Sequence, residues 1–180
     1  MKNVYQTIWL ELPYEIVQIT DVKMREEMNS HSYLRIKAVI SDETQEDVIN
    51  LLIENAQVKA GFLDCVQPFF IGCIEDVSCY YEKGQLMILL TAASKTQKWD
   101  VIRKKRSFQN LDYTYGDIIS RVLATYPGAD WLAKVDTNIK IPGLILQYDE
   151  TDWEFLCRLA SHFGTFLMVE PSSEGGRFYF

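Results

Sequence analysis

Asp149, Glu150, Asp152 and Glu154 crowd into six positions, and Cys157 and His162 follow directly. A thiol beside an imidazole is the raw material of nucleophilic catalysis, and facing carboxylates do acid–base work or hold a hard cation. The spacing argues against both. On a helix, Cys157 and His162 point roughly 140° apart around the axis, so they do not meet. Cys157 reads more simply as a core or interface residue. The run Thr151-Asp152-Trp153-Glu154 is a helix start in which Thr151 and Glu154 form a capping box. Asp152 and Glu154 also suit the positive end of the helix, so capping accounts for both acids.

Other chemistries have less to build on. There is no Gly-x-Ser-x-Gly elbow, no glycine-rich phosphate loop and no His-Glu-x-x-His pair. Cys65, Cys73, Cys79 and Cys157 include no Cys-x-x-Cys spacing, and His31 and His162 are the two histidines. A zinc site needs clustered thiolates and imidazoles, so neither a metal nor a cofactor is expected. The cysteines read as free, buried thiols of a protein made in the cytoplasm. His31 sits in a polar stretch and reads as solvent-facing. Trp153, in a first helical turn, reads as a packing anchor.

The elements that would position these residues fall into two groups. Leu34, Ile36, Ala38 and Ile40 alternate with Arg35, Lys37 and Val39, the period of a half-buried strand. Val4 to Ile19 reads as two short strands with Pro13 at an edge or turn, and the charged, polar Asp21 to Ser32 as a loop or wide turn. Val66 to Val77 is rich in β-branched and aromatic residues, with Gly72 marking a bulge or a close backbone approach. Tyr80 to Gly84 reads as a turn, and Gln85 to Ala93 as a buried strand. One short helix is expected near Thr44, Val48, Leu51 and Leu52. This pattern predicts a small antiparallel barrel or curled sheet.

The character changes near Ser94. Thr114 and Asp117 open a helix through Ile118, Ile119, Val122, Leu123 and Tyr126, and Pro127-Gly128 stops it. Ile139, Ile141, Leu144 and Leu146 suggest an extended stretch broken at Pro142-Gly143. The helix from Thr151 carries Leu156, Leu159, Ala160 and Phe163 on one face, with Gly164 as its cap. Phe166 to Val169 and Arg177 to Phe180 read as strands. The fold class is therefore α+β: a small antiparallel β-barrel followed by a helix-containing α/β region.

Charge and hydropathy narrow the function classes. No apolar run nears the roughly 20 residues of a membrane span, and the N-terminus lacks the pattern of a signal peptide. The net charge of −7 weighs against duplex nucleic-acid binding. The basic cluster Lys98, Arg103, Lys104, Lys105 and Arg106 reads as a solvated or interface strip.

Two ordered segments carry a resemblance. One is Ala93-Ser94-Lys95-Thr96, then Trp99-Asp100, then Arg106-Ser107-Phe108-Gln109-Asn110. The other runs Gln147-Tyr148-Asp149-Glu150-Thr151-Asp152-Trp153-Glu154-Phe155-Leu156 and on through Arg158 to Gly164. Together they resemble hub proteins of contractile injection systems: phage late-control D proteins, phage tail hubs and the spike protein of type VI secretion. The similarity extends over about Tyr14 to Val169. The resemblance implies a barrel domain over 1–98, and over 99–180 a linker, two helices and the start of the next hub subdomain. It implies a chain that is an N-terminal piece of a longer hub, made in the bacterial cytoplasm and assembled into a tail or tail-like particle. The partners it implies are itself, as a homotrimer, then a tail tube protein, and spike and baseplate proteins. It brings no catalytic residues.

Within that frame Arg106, Phe108 and Gln109 are the expected junction clamp. Phe108 would sit in an apolar pocket while Arg106 and Gln109 bond backbone carbonyls. Trp153, Phe155, Leu156, Leu159, Phe163 and Phe166 exceed what one helix face needs, and Tyr148, Trp153, Phe155 and Phe163 are candidate contacts between subunits. The competing expectations are a cell-wall hydrolase using Cys157, His162 and the acidic cluster, and a module that binds a ligand or peptide at a barrel edge.

Overall fold

A computed structural model describes residues 8–12, 16–41 and 56–180. The expected helix at 44–52 and the turn at Pro13 lie outside the described residues. The chain divides into two compact units. The first takes in residues up to Arg25, Ser32–Lys95 and Pro171–Glu174, and the second Glu26–His31, Thr96–Glu170 and Gly175–Phe180.

The first unit is a six-stranded antiparallel half-barrel. Its strands are β1 (Ile8–Glu11), β2 (Gln18–Arg25), β3 (Tyr33–Val39), β4 (Gln57–Phe62), β5 (Pro68–Glu82) and β6 (Gln85–Ser94), in the spatial order β1-β4-β5-β6-β3-β2. Leu34, Ile36 and Ala38 of β3 face inward and meet Ala92, Leu90 and Ile88 of β6 across the ladder. The alternation seen in the sequence is thus the inside–outside alternation of a pleated strand. β6 is central and buried on both faces over most of its length, hence its unbroken apolar run. Gly72 is a close approach: a Cβ there would lie 2.2 Å from the Ala93 carbonyl oxygen. The bulge of β5 falls two to four residues later, between Ile74 and Asp76.

The turn expected over Tyr80–Gly84 is shorter than that. Tyr80 to Glu82 stay in β5, paired through Glu82 opposite Gln85, and Lys83-Gly84 alone make the connection. Both have positive φ, 52° and 79°, as a two-residue hairpin turn with the right twist requires.

The second unit mixes helices with two small sheets. A 3-10 turn (Lys95–Asp100) leads to β7 (Lys104–Phe108), α1 (Tyr115–Leu123), β8 (Asp130–Leu132), β9 (Ile145–Glu150), α2 (Asp152–Ser161), β10 (Met168–Glu170) and β11 (Arg177–Tyr179). β7 pairs with β9, while β11 lies between β10 and β8. The C-terminal strand therefore has partners on both sides, antiparallel with β10 and parallel with β8. Both helices begin in the capping boxes read from sequence, Thr114 with Asp117 and Thr151 with Glu154. The extended stretch expected from Ile139 starts later, as β9 at Ile145. Ahead of it Lys140 makes an isolated bridge to Thr114. The core gathers Trp99, Phe108, Ile118, Val122, Phe155, Leu156, Leu159 and Phe178. Architecture and element types together are α+β, mostly antiparallel.

Candidate functional site

β7 puts Lys104, Arg106 and Phe108 on one face and Lys105 and Ser107 on the other, by the period of two. β9 opposes them in register: Gln147 faces Arg106, and Ile145 faces Phe108. α2 then begins one residue after Thr151 and delivers Asp152 to the same face. These residues make a polar cluster with an apolar floor.

The Asp152 carboxylate is fully buried. One oxygen accepts from Lys104 Nζ at 2.5 Å and from the Tyr126 hydroxyl at 2.7 Å. The other accepts from Arg106 Nη1 at 2.8 Å and Gln147 Nε2 at 3.0 Å. Burial pushes this carboxyl up, but the hydrogen bonds from Lys104, Gln147 and Tyr126, with the nearby charge of Arg106, outweigh it and hold it below the usual carboxylate range. Burial first, and then this carboxylate, push the Tyr126 phenol well above its ordinary value. A buried anion with its lone pairs occupied positions other groups and leaves no acceptor open for a reacting one.

Gln147 completes the knot. Its Nε2 also reaches the backbone oxygens of Glu150 and Thr151, at 3.1 and 3.2 Å, and ties β9 to the start of α2. Beside it Arg158 forks onto Glu150, with Nε and Nη2 at 2.8 and 2.9 Å from its two oxygens. Arg103 donates to the Asp149 backbone oxygen and, at 3.4 Å, to Glu154. Beneath the cluster Phe108 stacks on Phe155, with ring centroids 5.8 Å apart.

Several expectations need correcting. Arg106 bonds a carboxylate and the Gln147 side chain rather than backbone carbonyls, because α2 places Asp152 within its reach. Gln109 is exposed, and its amide turns back to the Ser107 hydroxyl at 3.4 Å. The basic cluster is not one strip, since Lys104 and Arg106 point inward. Capping accounts for Glu154 but not for Asp152, whose side chain turns to β7. His31 is buried rather than solvent-facing: its ring lies 4.4 Å from that of Trp153, and Nδ1 is 2.9 Å from the Thr96 hydroxyl.

The cysteines are free but not buried as expected: Cys65 is exposed, and Cys73, Cys79 and Cys157 are half-buried. The other candidates are placed as follows. Trp153 is buried and donates through Nε1 to the Asn29 backbone oxygen at 3.3 Å. Phe155 is buried, and Phe163 is half-buried against Tyr115 and Phe180. Tyr148 is exposed on the outer face of β9 under the Lys105 ammonium. Cys157 is half-buried and its thiol is pushed up to about 12, by burial first and then by the Asp100 charge. It is therefore a neutral thiol at physiological pH. His162 turns to the Tyr115 hydroxyl, 3.1 Å from Nδ1. Among the described residues no group of three or more acidic, histidine or cysteine side chains is arranged to hold a metal ion.

The family described as the phage tail baseplate hub (GPD) matches residues 25–180. The chain belongs to this phage tail baseplate hub family. Three solved structures share the fold of this hub-family chain. The 43 kDa tail protein of prophage MuSo2 from Shewanella oneidensis has a TM-score of 0.68 at 15% identity, covering 96% of this chain and 52% of its own. The tail protein of Neisseria meningitidis MC58 gives 0.67 at 13%, covering 96% and 49%. The E. coli c3393 protein, a component of the type VI secretion system, gives 0.65 at 16%, covering 95% and 48%. The hub chain thus spans about half the length of these structures. No curated protein sequence matches it.

The residues that sequence reasoning passed over are Asp152 as an anchor and its partners Lys104, Tyr126 and Gln147. One signal pointed to them. Phe108 had to face the core, so Arg106 and Lys104, two and four positions earlier on the same strand, had to face inward too.

Proposed function

We propose that the chain is a structural hub component of a contractile tail or tail-like injection particle. It trimerises and connects the tail tube to the spike and baseplate. The observation that carries this reading is the hub-family match over residues 25–180. The likeness in fold to two tail proteins and a secretion-system component supports it. The residues at the core of the second unit fit a part whose product is shape, since the strongest polar cluster is spent on holding β7, β9 and α2 together.

In this reading residues 1–98 are the barrel domain, and 99–180 are the linker, two helices and the start of the next subdomain. Arg106 and Phe108 hold β7 to β9 and α2 within the second unit, and the exposed Tyr148 is the candidate contact with other chains. The protein is made in the cytoplasm and assembled into the particle. Among the described residues no helix is long and apolar enough to cross a membrane. The hydrolase reading is weaker, because Cys157 is held as a thiol and His162 is engaged by Tyr115.

Multi-angle light scattering on the hub at its natural length tests the proposal. A mass of three chains is expected, and a strict monomer across the micromolar range contradicts it. Release of peptidoglycan fragments that disappears in a Cys157→Ala variant would instead establish the hydrolase.

A further inference from the structure

Between β2 and β3 the chain makes a short excursion, Glu26–His31, whose contacts belong to the second unit. Asn29 anchors its middle. It sits at φ 56°, in the left-handed region that asparagine tolerates better than most residues. Its N–H donates to the Leu167 oxygen at 2.9 Å, and its side-chain oxygen accepts the Leu167 N–H at 2.9 Å. His31 anchors the end. Its Nδ1 is 2.9 Å from the Thr96 hydroxyl, its Nε2 is 3.4 Å from Asp100 Oδ2, and its ring lies against Trp153.

The partners dictate the protonation state of this imidazole. Asp100 only accepts, so the neutral ring that fits carries its proton on Nε2 and accepts from Thr96 on Nδ1. A second proton on Nδ1 would reverse the Thr96 hydrogen bond and place a cation where the ring is almost wholly removed from water. The charged group facing it from the 3-10 turn is Asp100, already shared with the Thr151 hydroxyl at 2.5 Å. α2 faces it with the uncharged ring of Trp153, and its own segment contributes the exposed Glu26 and Glu27.

We propose that Glu26–His31 is an acid-released tie, locked onto the 3-10 turn and α2 by neutral His31 and loosened when that ring is protonated. Burial lowers the His31 pKa below its ordinary 6.5, and Asp100 only partly offsets it. The sign follows. Above 6.5 the ring is neutral both tied and released, so the tie has its full strength. As pH falls below 6.5 the released ring takes up a proton first, and the tie weakens until the tied ring is protonated too.

NMR on the intact chain tests this, because it contains only two histidines. His31 should titrate below 6.5. The amide protection of Asn29 and Leu167, corrected for intrinsic exchange, should fall from pH 7.5 to 5. His31→Gln should abolish that pH dependence, and Asp100→Asn should move the His31 midpoint lower still. A His31 midpoint at or above 6.5 overturns the proposal. So does an equal loss of protection in His31→Gln. The midpoint in the unaltered chain decides the matter even where a variant fails to fold.

Discussion

In the half-barrel, β3 and β6 meet through Leu34, Ile36, Ala38, Ile88, Leu90 and Ala92. In the second unit, β7, β9 and α2 meet through Lys104, Arg106, Gln147 and Asp152, with Phe108 and Phe155 beneath. Aliphatic pairs contribute separately, and trimming one leaves its neighbours in contact with the rest. A shared carboxylate couples its partners, so losing it strands two cations, a phenol and an amide at once. The second unit should therefore be brittle where the first is tolerant.

The largest expected effect is at Asp152. Asp152→Ala should cost about 4 kcal/mol in urea unfolding, the range for a buried charge pair broken from one side. A cost below about 1 kcal/mol would show that Lys104 and Arg106 simply turn to solvent. Acid sharpens the same point. The folded carboxyl lies below its unfolded value, so the stability it contributes is present above the ordinary carboxylate range and is lost as pH falls through the folded value. Asp152→Asn should flatten the acid limb of the stability curve relative to the unaltered chain.

Next comes Leu90→Ala in the half-barrel, at about 3 kcal/mol for a fully buried leucine. A loss larger than that of Asp152→Ala would reverse the contrast between the units. Thr151→Ala removes the cap of α2 and should cost about 1 kcal/mol, measured in the same way. Tyr148→Ala should change stability by less than about 0.5 kcal/mol, because the ring lies on an exposed face. If it is a contact between chains, it should nevertheless weaken association in light scattering.

The same contrast governs what could be read from the residues alone. Strand β3 announced itself because burial on one face writes a period of two, as in Leu34, Ile36 and Ala38, whereas β4 went unread and β2 runs on to Arg25, through charged residues that read as a loop. The capping boxes at Thr114 and Thr151 were legible because all their atoms lie within four residues. Asp152 was opaque for the opposite reason. A local rule about acids in first helical turns already explained it, while its partners Arg106 and Lys104 lie 46 and 48 positions away. His31 was misread for the same cause, since Thr96 and Asp100 are 65 and 69 positions distant. β8 is three residues long and pairs in parallel, too short for any period to register.

Cryo-electron microscopy of assembled tails or tail-like particles bears most directly on the hub assignment. Three copies of this fold should lie where the tube meets the spike, with Tyr148 at boundaries between chains. Intact particles that contain no copy of the chain would contradict it.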